Sequence, residues 1–258
     1  MDLLGAQLAS ARSSGSPDGT AVVFLHPMGV DQECWAAVTS LLPGYRILTY
    51  DFPGHGRCPA PDEEYAVTTL ADHLAQLLDS LNVAAPHVVG MSLGGMVAQH
   101  FAARYPQAVA KLVLASCVAV YPEAAAERFR TRAATVRAHG MSAIVHAQLG
   151  SWFSDAAMAA DVPAVRYARS AFTTTSPEGY ARACLALAAA DVRAGLPRIA
   201  APTLVVRGSD EPSGIGDGAR EISEIIPRAS LHTFDGRHAV VLERHAEFAR
   251  LLSEFFGG

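Results

Sequence analysis

The chain has 258 residues, half of them hydrophobic and 17% charged, enough for one well-filled domain and too apolar for a disordered one. Its formal charge of −5 arises from 20 basic and 25 acidic residues mixed along the chain, with Lys111 the sole lysine; neither nucleic acid nor an anionic membrane is an expected partner. Apolar runs break well short of a membrane span, and the first twenty residues lack a basic lead before an apolar core, so a cytoplasmic location is expected. Cys34, Cys58, Cys117 and Cys184 form no CxxC pair and read as reduced thiols.

The first β-branched apolar run is AVVFLH (21–26), followed by YRILTYD (45–51). An amphipathic stretch, VTTLADHLAQLLDSLN (67–82), leads to a third strand, HVVGM (87–91), and a second helix, LGGMVAQHFAARYP (93–106). KLVLASCVAV (111–120) reads as the fourth strand, PTLVVRGS (202–209) as the fifth and SLHTFD (230–235) as a short sixth. GAREISEIIP (218–227) and HAEFARLLSEFFG (245–257) read as the last helices, the second with Phe248, Leu251, Leu252, Phe255 and Phe256 at near-helical spacing. Strands alternating with helices predict an α/β fold with a mainly parallel sheet covered on both faces. Residues 121–195 break that rhythm with helical runs alone, including EAAAERFRTRAATVRAHG, SAIVHAQLGSWF and EGYARACLALAAAD. A helical cap over the carboxyl ends of the strands is expected there, inserted in a core made of 1–120 and 196–258.

Gly90-Met91-Ser92-Leu93-Gly94 lies directly between an apolar strand and a helical run. A serine at the apex of such a turn takes a strained backbone; Gly90 and Gly94 relieve the crowding around it, and Gly95 lets the helix pack close. Ser92 is therefore the expected nucleophile, with the helix N–H groups aimed at the oxyanion that its attack creates. No phosphate-binding GxxxxGK[ST] or strand-linked GxGxxG competes with this reading.

A serine needs a base that works at neutral pH, and His238, on the loop before the last helix, is the best placed of ten histidines. His245 is the nearby alternative, and His100 lies too far along the helix after Ser92. The second oxyanion donor belongs on the loop after the first strand, His26-Pro27-Met28-Gly29. Pro27 has no N–H, which leaves the backbone of Met28 alongside that of Leu93. His26 and His55 read as loop-packing residues.

From FLHPMG through YDFPGHGRC and VVGMSLGGMVAQ to PTLVVRGSDEP and DGRHAVVLE, the chain resembles the α/β-hydrolase superfamily along essentially its whole length. It looks most like 3-oxoadipate enol-lactonases of aromatic-compound degradation and their esterase relatives. The resemblance carries the family's serine and histidine onto Ser92 and His238. It departs at the first loop, where relatives have glycine directly after the histidine or an Asn-Ser-Leu-Gly sequence. It also implies a triad acid after PTLVV, where relatives show Gly-x-x-Asp-Pro. Here Gly208-Ser209-Asp210-Glu211-Pro212 places Glu211 at the acid position and Asp210 one residue early, with Asp217 a third candidate. The cap segments around RAATVRAHGMSAIVHAQLGSWF resemble the enol-lactonase cap.

Met28, Met91, Trp152 and Phe153 are the expected pocket walls, and Arg132 and Arg137 are candidates for attracting a substrate carboxylate. The implied activity is hydrolysis of a small lactone, with water as co-substrate and neither metal nor organic cofactor. General short-acyl ester hydrolysis, with perhydrolase side activity, is the alternative. A catalytically silent ligand-binding protein of the same fold is the non-enzymatic one. A haloalkane dehalogenase is excluded because it needs a carboxylate where this chain has Ser92.

Overall fold

The computed structural model describes residues 3–211 and 214–257, beginning with helix α1 (Leu3–Ser10) and strand β1 (Arg12–Gly15). β2 (Ala21–Leu25), α2 (Ala36–Thr39), β3 (Arg46–Thr49), α3 (Val67–Ser80), β4 (His87–Met91), α4 (Leu93–Arg104) and β5 (Lys111–Ala115) follow. Five helices come next: α5 (Glu123–His139), α6 (Ser142–Trp152), α7 (Asp155–Ala159), α8 (Pro163–Thr174) and α9 (Pro177–Ala189). The chain then returns through β6 (Thr203–Gly208), α10 (Ile215–Ile225), β7 (Ala229–Phe234), α11 (Val240–Glu243) and α12 (His245–Gly257).

The seven strands form one sheet in the order β1-β3-β2-β4-β5-β6-β7, parallel except where β1 runs against β3. Val22, Val23, Phe24, Val88, Val89, Leu112, Val113 and Leu114 are wholly buried, which explains why the central strands read as continuous apolar runs. Each buried side chain of this size contributes about 1.5–3 kcal/mol. α3 turns Leu70, Leu74, Leu77 and Leu78 inward at helical spacing, and α12 does the same with Phe248, Leu252 and Phe256.

Of the elements that depart from the sequence expectation, three show a physical reason. β1 is a four-residue polar edge strand, RSSG, with no apolar alternation to mark it. The fourth expected strand ends at Ala115 because Ser116 adopts a φ of 49°, which turns the chain out of the sheet. α8 begins with Pro163 at its first turn, a start signal that the sequence reading passed over.

The helices α5 to α9 leave and rejoin the sheet through one neck. Val120 bridges Asp191 in antiparallel fashion, and Val192 N–H donates to Ala119 O at 2.9 Å. This places α5–α9 over the edge where β2, β4, β5 and β6 all end, the usual ligand crevice of a parallel sheet.

Candidate active site

Ser92 stands between β4 and α4 with φ 54° and ψ −112°, a conformation costing a non-glycine residue about 1–3 kcal/mol. The surroundings enforce it. Ser92 N–H donates to Ala115 O at 2.9 Å, and its carbonyl accepts from Met96 N–H at 3.0 Å. A β-carbon on Gly90 would lie 2.3 Å from the Gly94 carbonyl oxygen, and one on Gly94 would lie 2.2 Å from that of Leu25. The turn therefore closes only with glycine at both places.

His238 lies on the loop after β7, and its Nδ1 is 2.9 Å from Glu211 Oε2. Both side chains are buried, His238 at 7% exposure and Glu211 at 1%. Nδ1–H donating to the carboxylate leaves Nε2 as the ring's acceptor. Glu211 Oε1 accepts from Gly208 N–H at 3.3 Å. Burial alone would push this carboxyl up. The neighbouring His238, its hydrogen bond and the Gly208 N–H outweigh burial and hold Glu211 below the usual range, hence ionised.

The alternatives point elsewhere. Asp210 is exposed and pairs with Arg237 Nε at 3.1 Å, while Asp217 is exposed in the first turn of α10. Pro212 lies outside the described residues. His245 is exposed at the start of α12, and His100 faces a separate cleft beside Asp191.

Ser92, His238 and Met28 open into one cavity of about 260 Å³, also lined by Trp152, Tyr121 and Arg132. Trp152 meets the His238 ring edge-on at 5.6 Å and Phe172 at 5.1 Å. Two expected wall residues are corrected. Met91 is wholly buried within β4, and Phe153 is wholly buried just past α6; neither lines this cavity, because each packs into the core instead.

The cap's charges divide unequally. Arg137 is neutralised by Glu178, with two contacts of 2.9 Å, and has no free charge to offer a substrate. Arg132 instead lines the cavity, stacked 5.1 Å over the Phe129 ring and 3.4 Å from the Tyr180 hydroxyl. Arg128 lines the same cavity, and among the described residues no carboxylate pairs with it or with Arg132. Arg128 and Tyr121 escaped the sequence reading. Tyr121, which lines the cavity alongside Ser92, follows directly on an apolar run, and nothing in the spacing marks it.

The loop after β2 is braced from two sides. His26 Nδ1 donates to Pro27 O at 2.8 Å, and Nε2 accepts from Phe52 N–H at 2.8 Å, which makes it a backbone ligand. From the cap, the Thr175 hydroxyl donates to Gly29 O at 3.1 Å, and the Cys184 thiol lies 3.7 Å from the Met28 sulfur. His55 is likewise a loop residue, donating from Nδ1 to Pro53 O at 2.9 Å. Leu93 is the first residue of α4, so its N–H has no carbonyl partner within the helix. Among the described residues no His, Cys, Asp and Glu cluster would hold a metal ion, and no helix is long and apolar enough to cross a membrane.

A parallel sheet with a glycine-flanked serine at the end of β4 and a His–Glu pair at the ends of β6 and β7 defines a class. The chain belongs to the α/β-hydrolase family, whose sequence profile, described as alpha/beta hydrolase fold, matches residues 20–245. It is 30% identical to 3-oxoadipate enol-lactonase 1 of Acinetobacter baylyi, over 95% of this chain and 92% of that one. A Variovorax paradoxus protein carrying the name of a carbamate hydrolase, RutD, is 33% identical over 93% of each chain. Among solved structures, the enol-lactonase from Burkholderia xenovorans LB400 superposes with a TM-score of 0.92 at 29% identity, covering 96% of both chains.

Proposed function

We propose that the chain is a serine hydrolase that opens a small, carboxylate-bearing lactone resembling 3-oxoadipate enol-lactone through an acyl-enzyme on Ser92. The observation that carries the reading is the cavity itself, with Ser92 and His238 on its floor and two guanidiniums without carboxylate partners among its walls. A cavity that holds such cations selects for an anionic ligand. The likeness to enol-lactonases over nearly the whole chain points the same way.

In this reading Ser92 Oγ attacks the lactone carbonyl while His238 Nε2 takes its proton. The Leu93 and Met28 N–H groups receive the oxyanion, and Glu211 fixes the ring tautomer and balances the imidazolium. Collapse of the tetrahedral intermediate breaks the ring C–O bond, and His238 returns the proton to the departing enolate oxygen. Water, deprotonated by the same histidine, then attacks the acyl-enzyme, releasing the free acid and restoring Ser92. The chemistry draws on no metal or organic cofactor. Residues 121–195 serve as the substrate cap on a core of 1–120 and 196–258.

The test is a substrate panel of 3-oxoadipate enol-lactone, p-nitrophenyl acetate and p-nitrophenyl butyrate. Hydrolysis of all three is expected, with kcat/KM for the lactone at least about tenfold higher, or ~1.4 kcal/mol of transition-state discrimination. A preference for the simple esters would assign the chain to general short-acyl ester hydrolysis and remove the lactone from this reading.

A further inference from the structure

Arg237 precedes the proposed base in sequence and takes no part in the chemistry above, yet its guanidinium joins three segments. Nε lies 3.1 Å from Asp210 Oδ2, on the loop that carries Glu211. Nη1 donates to the carbonyls of Gly150 at 3.0 Å and Phe153 at 3.1 Å, and both amino groups grip the Asp155 carboxylate at 2.8 and 3.2 Å. Gly150 lies in the last turn of α6 and Phe153 is its C-terminal cap residue, so the guanidinium supplies donors at a helix end with unmet carbonyls. The side chain is only 24% exposed although Asp155 and Asp210 are largely in solvent.

The same junction is pinned twice more from the core. Ala239 N–H donates to Trp152 O at 2.8 Å, and the Glu243 carboxylate accepts from Ser154 N–H at 3.1 Å and from its hydroxyl at 2.5 Å. All three ties run from the segment around His238 to residues 150–155 of the cap. Between them sits Trp152, edge-on to the His238 ring and at the cavity wall. An ordinary surface ion pair would contribute little and act locally. This one links the acid loop, the base loop and the cap through a single side chain.

We propose that Arg237 is a positioning residue that seats the end of α6, and with it Trp152, on the His238–Glu211 pair. It thereby registers the substrate-binding cap against the reacting groups. The proposal deepens the Ser92–His238 reading and rests on it for its kinetic consequence. Loss of the clamp leaves the core pair intact but lets the cap drift. Substrates that lean on the cap suffer, and those too small to reach it do not.

The experiment compares Arg237→Met, which keeps the apolar stem, and Arg237→Lys, which keeps the charge, with the parent. p-Nitrophenyl acetate and the singly charged p-nitrophenyl hemisuccinate serve as substrates. Acrylamide quenching reads the seating of Trp152 directly, since Trp35 is 0% exposed and contributes little. Arg237→Met is expected to raise the quenching constant about twofold or more. It is also expected to lower kcat/KM on the hemisuccinate by about tenfold, mainly through KM, and on the acetate by less than about threefold. Arg237→Lys should recover part of both effects. Unchanged quenching, or equal losses on the two esters with only a lower Tm, overturns the proposal. If the parent itself treats the two esters alike, the carboxylate reading of the cavity falls and the quenching result alone decides the role of Arg237.

Discussion

The carboxyl edge of the sheet and the cap above it meet at one cavity, but they are built on different terms. At the edge, backbone geometry does the placing. Ser92 sits where strand and helix force a positive φ, and Gly90 and Gly94 have no room for a β-carbon. In the cap, separate helices project side chains into shared space: Arg132 from α5, Trp152 from α6, with Phe172 of α8 behind it. A site fixed by backbone tolerates almost no variation in its nearest residues, whereas a cavity wall fixed by side chains can be refitted one residue at a time. The proposed chemistry thus belongs to the edge and the choice of substrate to the cap.

The most severe test of that division is Ser92→Ala. The smaller side chain fits the same turn, so the variant is expected to fold with an unchanged Tm yet lose at least about a thousandfold in ester hydrolysis. Residual turnover near the parental rate would move the chemistry off this edge altogether. Next in size comes the acid. Glu211→Gln is expected to cut kcat by about two orders of magnitude, because the neutral amide no longer stabilises the imidazolium, while Asp210→Asn costs less than about tenfold. The reverse ranking on one ester would show that the Glu211–His238 contact is structural and that the acid lies one residue earlier.

The smallest effect concerns the buried loop after β3. Burial, then the adjacent His26, depress the His55 ring from 6.5 to about 3, against weaker opposing contributions from Pro53 O and Asp51. Its folded-state value thus lies below the unfolded one, and between the two the unfolded chain binds more protons. Stability falls as pH drops from 6.5 toward 3. Glu211, held down in the fold, adds a loss in the same direction below about pH 4.5. His55→Asn is expected to flatten the decline of Tm between pH 6.5 and 4.5 without changing its sign. An unaltered slope in thermal melts across that range would mean that His55 does not carry it.

The same division explains how much the sequence disclosed. The elbow was legible because glycine spacing, strand and helix all bear on one short segment. His238, the proposed base, could be singled out from its place on a loop before the last helix. The proposed acid was harder to place, since Asp210 and Glu211 are neighbours and only the structure turns one inward to His238 and the other outward to Arg237. The cavity walls were least legible. Met91 and Phe153 are apolar residues beside the right positions, and the linear sequence does not say that both pack away from the cavity. Arg132 and Arg137 look alike in the sequence, which does not say that Arg132 turns into the cavity while Arg137 is held outside it by Glu178, forty-one positions away. The edge strand β1 was missed because RSSG carries no pattern to detect.

β7 closes the sheet on one side, with a partner on its inner edge only, and its residues are half-buried or exposed until Phe234 at its end. The loops bearing Glu211 and His238 hang from β6 and β7, whereas Ser92 hangs from the middle of the sheet. Outer strands open at lower free energy than central ones, through local excursions that leave the rest of the domain folded. On warming, the proposed acid and base are therefore expected to lose their register first, while Ser92 stays in its strained turn. Hydrolysis is therefore expected to fail at temperatures below Tm and to return on cooling, because only a margin has to re-form.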